Sequence, residues 1–278
     1  MLVRNFEGLS FMTPHFPERM TPLGAINWIG CATLFMKEVR RFQKVWLQTI
    51  AAPAISTLIF MAIFALSMGR SGREMDGVPF NQFLLPGLVM MTMIQNAFAN
   101  TSSSLVISKV QGSIVDILMP PLSPWELALA YIGGGMVRGL LCGTVVAVCL
   151  SVFTPMPLHA PLLAIAFALE ATVMMSAVGV LTGVWADKFD QSTVITNFII
   201  MPMSFLSGTF YSVDHLPEAV RWLAHINPFY FMIDGFRSGF LGADGPTVWF
   251  HLGVLTVGNA ILLWWSQHLF RIGYKLKA

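Results

Sequence analysis

The apolar positions of this chain gather into six long runs, at residues 45–68, 83–106, 127–153, 161–185, 194–211 and 248–270. Crossing about 30 Å of hydrocarbon takes roughly 20 helical residues at 1.5 Å each, so each run predicts a spanning helix. The fifth is the shortest and contains Pro202. Ahead of the first run, Ile26, Ile29, Ala32, Phe35, Met36, Val39 and Phe42 recur at helical spacing. Thr21 is placed to cap that helix, with Pro22 at its first position. Lys37, Arg40, Arg41 and Lys44 crowd its end. Residues 21–44 therefore predict an amphipathic helix lying in the cytoplasmic interface, its bases near anionic head groups. A simple topogenic signal is the alternative. Residues 1–20 are mixed and broken by prolines, which predicts a cytoplasmic tail rather than a cleavable signal peptide.

Two connections carry patterns of their own. Between the second and third runs, KVQGSIVDILMPPLSPWE joins a short amphipathic turn (Ile114, Val115, Ile117, Leu118) to Pro120, Pro121 and Pro124. Each proline fixes its own φ and restricts the residue before it, so this loop is stiff and suits contact with another protein better than mere connection. Before the last run, Leu216-Pro217-Glu218 opens a short amphipathic helix through Ile226, and Asn227-Pro228 breaks it. A second short helix follows from Phe229 to Leu241 and ends at Gly242. Residues 212–246 thus predict a re-entrant or interfacial helical hairpin. The fold class is an all-α polytopic membrane protein, with six transmembrane helices in residues 45–278 behind the interfacial helix.

Composition agrees with the pattern. Charged residues make up 11% of the 278, against about 25% in soluble domains, and apolar residues make up 55%. Five stretches of 23 to 32 residues contain no Asp, Glu, Lys or Arg. A soluble helix could not show water a polar face over such lengths, so soluble enzymes, disordered chains and disulfide scaffolds are excluded. The net charge of +2 is too small for a nucleic-acid partner. With both termini inside, the cytoplasmic side holds eleven Lys and Arg and the other side four (Arg70, Arg73, Arg221 and Arg237), which sets the orientation.

Chemistry inside the spans is sparse. Arg138 and Glu170 are the two ionisable residues well within predicted spans, the third and fourth. A structural ion pair between them is the first reading, and a substrate or proton-relay role the second. Gly135, Gly139 and Gly143, with Gly179 and Gly183, predict close packing of the third span on the fourth. Asn96, Asn100 and Ser103 share one face of a polar second span, and Thr193, Asn197, Ser204 and Gly208 one face of the fifth. Those faces either hydrogen-bond between helices or line a conduit. Cys31, Cys142 and Cys149 have no metal-ligand spacing, and no two of the six histidines are paired at helical spacing. No metal site, catalytic motif or G-x-x-x-x-G-K-[ST] loop is present in the sequence.

The stretch LSGTFYSVDHLPEAVRWLAHINPFYFMIDGFRSGFLG, residues 206–242, resembles the segment before the last span of the ABC-2 family of export permeases. The shared elements are Leu216-Pro217, Ile226-Asn227-Pro228 and Asp234 to Arg237; MPPLSPWE, residues 119–126, is similar to that family's cytoplasmic loop. Within the family the likeness is to the YadH-like, drug, polysaccharide and Nod-factor export group. The resemblance implies a permease subunit of the bacterial inner membrane, with both termini cytoplasmic and ATP and Mg bound on a separate partner. Two permease copies would pair as a homodimer with two ABC ATPase subunits and export a small molecule, lipid or glycan. It implies that the ATPase docks on the interfacial helix (Lys37, Glu38, Arg40, Arg41) and on the loop (Gln111, Ser113, Asp116, Pro120, Pro121, Ser123, Pro124). It also implies a conduit lined by the first, second and fifth spans, with Asn96, Asn100, Ser103, Asn197 and Ser204 on it. Pro217, Asn227, Pro228, Asp234 and Arg237 mark the outer hairpin. Two competitors stand beside this reading: a channel or scaffold without ATP coupling, and a lipid-modifying enzyme built on His215, His225 and Asp234.

Overall fold

The computed structural model describes residues 26–68, 74–75, 77–213, 217–242 and 245–276. The chain runs through α1 (Trp28–Gln43), a π-helical turn (Leu47–Ala51) continuing into α2 (Ala52–Met68), and a small ribbon of β1 (Glu74–Met75) and β2 (Val78–Pro79). There follow α3 (Phe80–Val110), α4 (Ile114–Leu118), α5 (Pro124–Ser151) and α6 (Pro161–Trp185). A broken helix comes next: α7 (Phe189–Ile195), a second π turn (Thr196–Ile200) and α8 (Met201–Leu206). The described chain closes with α9 (Glu218–Ile226), α10 (Pro228–Leu241) and α11 (Pro246–Ile272). Among the described residues, five helices are long and apolar enough to cross a bilayer: Leu47–Ser67, α3, α5, α6 and α11. This is a multi-pass, all-α membrane protein.

The expected fifth span, 194–211, is displaced. Helix begins at Phe189 and ends at Leu206, and that run is not among the five. Pro202 explains the break within it: it has no N–H to give the Phe198 carbonyl four residues back, and its ring crowds that carbonyl, so the turn before it widens. Pro53 does the same after Leu47–Ala51, and the carbonyl of Thr49 is instead met by the Cys142 thiol at 3.1 Å. The cap expected at Thr21 and the tail lie outside the described residues, as do Arg70, Arg73 and His215. The observed cap of α1 is Asn27, whose side chain accepts from Gly30 N at 2.9 Å.

α3 is the axis on which the rest packs. Of its 31 residues 23 are buried, and α5, α6, α10, α2 and α1 surround it. The glycines act here as well as between the third and fourth spans, where a Cβ on Gly135 would stand 2.5 Å from Ser176 Oγ of α6. A Cβ on Gly139 of α5 would stand 2.8 Å from the Met93 carbonyl oxygen, and one on Gly179 of α6 would stand 2.6 Å from that of Phe98. Both helices thus press small faces onto the α3 backbone, and Thr101 of α3 donates to the Ser176 carbonyl of α6 at 2.9 Å.

Candidate functional site

α1 and the proline-rich loop between α3 and α5 are fastened to each other. Ser123 and Glu126 form a reciprocal cap at the start of α5: the Glu126 carboxylate accepts from Ser123 N at 2.6 Å, and Ser123 Oγ accepts from Glu126 N. The same carboxylate accepts from Asn27 N at 2.6 Å, so one side chain starts α5 and anchors the entry to α1. Beyond this joint, Gln111, Asp116, Pro120, Pro121 and Ser123 remain exposed, while Ser113 and Pro124 are half-buried. Val115 and Met119 also face outward, and Ile114 is buried beneath them.

The far end of α1 is fastened to α3. Glu38 is fully buried, accepts from Ser104 Oγ at 2.7 Å and meets Arg41 Nε at 3.3 Å. Arg41 turns inward as well, donating to the backbone and side-chain oxygens of Asn100 at 2.7 and 3.0 Å and to Ser103 Oγ at 3.3 Å. One residue expected to dock a partner, Arg41, therefore meets two expected on a conduit, Asn100 and Ser103. Lys37 and Arg40 stay exposed.

A cavity of about 570 Å³ lies between α2, α3 and the broken helix. Gln48, Pro53, Gln95, Asn96, Thr196 and Phe205 are among its walls, so both π turns border it. Of the five conduit candidates, Asn96 alone lines this space. Asn100 and Ser103 are engaged by Arg41, Ser204 is buried against its own helix through Ile200 O, and Asn197 is exposed elsewhere.

Arg138 and Glu170 do not pair. Arg138 Nη2 donates to Asn96 Oδ1 at 3.2 Å, whereas Glu170 accepts from Thr256 Oγ1 at 3.0 Å and from Asn259 Nδ2, both on α11. The cause is rotation. α5 turns Arg138 toward α3 and α6 turns Glu170 toward α11, so matching depth alone does not bring them together.

The hairpin before α11 has the expected break. Asn227 caps α10 by accepting from Phe229 N at 3.0 Å, and its amide donates to Met203 O at 2.7 Å, tying the hairpin to the broken helix. Pro217 and Pro228 begin α9 and α10, and Gly242 ends α10 at φ 78°, a backbone state glycine adopts without strain. Arg237 is buried, donates to Gly208 O at 2.7 Å and lies 3.7 Å above the Phe83 ring. Asp234 meets His251 Nδ1 at 3.4 Å, while His225 packs edge-on to Tyr230.

At the C-terminal end of α6, Lys109 donates to the Val184 and Ala186 carbonyls at 2.8 and 2.7 Å, and Asp187 bridges Lys109 and Lys275. The hydrogen bond from Lys275 holds the Asp187 carboxyl below the usual carboxylate range. Glu126, Asn27, Ser104, Asn259 and Lys109 were not singled out from sequence. Only Glu126 had a legible signal, the S-x-x-E spacing before an apolar run.

The five apolar helices, the buried polar seam and the cavity between them describe an integral membrane protein. The ABC-2 type transporter profile matches residues 30–241, and the chain belongs to that family. It is a membrane transport subunit. The chain is 35% identical over 232 residues to the inner membrane transport permease YadH of Escherichia coli (strain K12), covering 84% of this chain and 91% of that one. It is 23% identical over 238 residues to nodulation protein J of Rhizobium leguminosarum bv. viciae, with 85% and 90% covered. It is 22% identical over 251 residues to that of Rhizobium meliloti (strain 1021), with 90% and 95% covered.

Proposed function

We propose that this chain is the permease half of an ATP-driven exporter in the bacterial inner membrane, with both termini cytoplasmic and the 189–206 helix as its sixth span. Two copies pair, each with a separate ATP-binding subunit that holds ATP and Mg. The observation that carries this reading is the fastening of the two cytoplasmic elements through Glu126 and into α3 through Glu38 and Arg41. A push on the exposed face of α4 or α1 is then delivered to the most buried helix of the bundle rather than lost in a loose loop. Lys37, Arg40, Gln111, Ser113, Asp116, Pro120, Pro121, Ser123 and Pro124 form the docking surface, while Glu38 and Arg41 transmit from beneath it. The cavity serves as the cargo path, with the two π turns as the points where its walls bend. The likeness to an inner membrane transport permease supports location and class.

Affinity purification of the tagged chain from native membranes in mild detergent tests the proposal. An ATP-hydrolysing subunit should be retained, and Asp116→Lys or Met119→Asp should lower its retention several-fold while leaving the permease folded. A permease recovered without any ATPase, or retention indifferent to both substitutions, overturns the reading.

A further inference from the structure

A carboxylate stands at mid-span on the surface of the helix bundle with no cation to meet it. Glu170 is the tenth of the 25 residues of α6, about 14 Å from its start at 1.5 Å per residue, and the only charged one. It is half-buried, and Thr256, which donates to it at 3.0 Å, is exposed. Asn259 of α11 donates to the same carboxylate and, at 2.9 Å, to the Glu170 carbonyl. Among the described residues no Lys, Arg or His lies within ion-pair distance of Glu170. Asn259 is only 5% exposed, and its Oδ1, on the same carbon as the Nδ2 that meets Glu170, is buried without a partner. Clamping α6 to α11 explains the hydrogen bonds but not the charge, since glutamine would accept from Thr256 and Asn259 equally well. Acceptors are in surplus here, and a charge facing hydrocarbon calls for a partner.

The surface around this carboxylate has room for another helix. One turn before the clamp on both helices, Leu163, Ala166, Val248, Trp249 and Leu252 wall an apolar groove of about 390 Å³. Gly253, Thr256 and Ala260 fall at i, i+3 and i+7 on α11, so they share a face, and all three are exposed. A Cβ on Gly253 would meet nothing within 4 Å. Exposed leucine or tryptophan needs no protein partner in a bilayer, but a carboxylate does, and small residues beside it let a helix come close. We propose that this face of α6 and α11 docks a separate membrane-spanning helix with an arginine or lysine near its middle, whose cation pairs with Glu170. A second copy of this chain does not supply that charge, because Arg138, the one Lys or Arg well inside the described spans, is turned by α5 to Asn96. A cationic amphiphile keeps its head near the membrane surface, whereas a spanning helix holds a basic side chain at a fixed depth. Arginine has donors enough for the carboxylate oxygens and for Asn259 Oδ1. Neither the ATP-binding subunit nor the cargo path takes part in this contact.

The full chain with a C-terminal fluorescent tag is placed in phosphatidylcholine vesicles with dye-labelled, Leu-rich spanning peptides whose central residue is Arg, Leu or Glu. Energy transfer is followed against peptide density in the membrane. The Arg peptide should associate about tenfold more tightly than the Leu peptide, as expected for one charge-assisted contact. Glu170→Gln keeps its hydrogen bonds to α11, so it should leave the unfolding midpoint nearly unchanged and bring that preference within about twofold. Gly253→Phe, placed in open space, should weaken the Arg peptide several-fold with the charge intact, and it gives the second measure if Glu170→Gln does not fold. Equal association of the Arg and Leu peptides overturns the proposal, as does a preference that survives Glu170→Gln or Arg-peptide binding indifferent to Gly253→Phe. A Glu peptide that binds as tightly as the Arg peptide overturns it too, because a neutral hydrogen bond would then hold the contact. Full competition by decylguanidinium assigns the site to a small cation, and self-association of the tagged chain that is lost in Glu170→Gln assigns it to a second copy. Either result overturns the separate helix.

Discussion

α2, with its π turn, is the most apolar of the five membrane helices and turns Ile55, Ile59, Phe60, Ile63 and Leu66 outward; α3 is the least apolar and buries 23 of its 31 residues. In water the order would be reversed. Hydrocarbon cannot satisfy an amide or hydroxyl, so polar side chains are the ones that must be covered, while Ile and Leu are at ease facing lipid. Asn96, Asn100, Thr101, Ser102 and Ser104 make α3 an interior helix, and their absence lets α2 be an outer one. The two meet through Thr57 and Thr92, whose hydroxyls lie 3.0 Å apart.

The sharpest break of this contrast is Glu38→Ala. It strands Arg41 and Ser104 against α3, and removing one partner of a buried pair costs about 3 kcal/mol or more. Thermal unfolding of the purified chain in detergent should report a clearly lowered midpoint; an unchanged one would mean the seam does not hold α1. Next comes Gly139→Val, which sets a side chain against the Met93 carbonyl and should cost about 2 kcal/mol by the same measurement. Ser123→Ala removes half of the reciprocal cap and loosens the Asn27 anchor, for about 1 kcal/mol. Proteolysis at the α1 junction should quicken accordingly.

Acid probes the C-terminal clasp. Because the folded Asp187 carboxyl lies below its ordinary value of 3.8, its contribution is fully present above that pH. It is lost as pH falls further through the folded pKa. Unfolding midpoints between pH 5 and pH 3 should therefore drop slightly more for the natural chain than for Asp187→Asn. Smallest of all is Ile59→Val on the outer face of α2, expected to change stability by less than about 0.5 kcal/mol. A large effect there would show that this face is covered by protein rather than lipid, the result expected if it joins a second copy.

Much of the fold is legible without coordinates wherever the signal is local. The α6 span is matched residue for residue at 161–185, α4 falls on the Ile114 to Leu118 turn, and Asn227-Pro228 parts α9 from α10. Each depends on hydropathy, a proline or a cap within a few residues. The fifth span fails for a related reason: two π turns precede prolines by two residues, and periodicity alone does not place them. The site was legible only in its residue types. Asn96, Asn100, Arg138 and Glu170 stood out as polar groups in spans, but their partners did not.

The sequence by itself determined that this chain lives in a bilayer, roughly where most of its long helices lie, and which family it resembles. Those properties are set by transfer of side chains to hydrocarbon and by backbone chemistry along the chain. Tertiary structure alone decided that Arg138 meets Asn96, that Glu170 meets Asn259, and that Glu38 is buried on Ser104 rather than displayed to a partner. Which polar groups meet depends on how each helix is rotated and how closely its small residues let a neighbour approach. Hydropathy fixes neither.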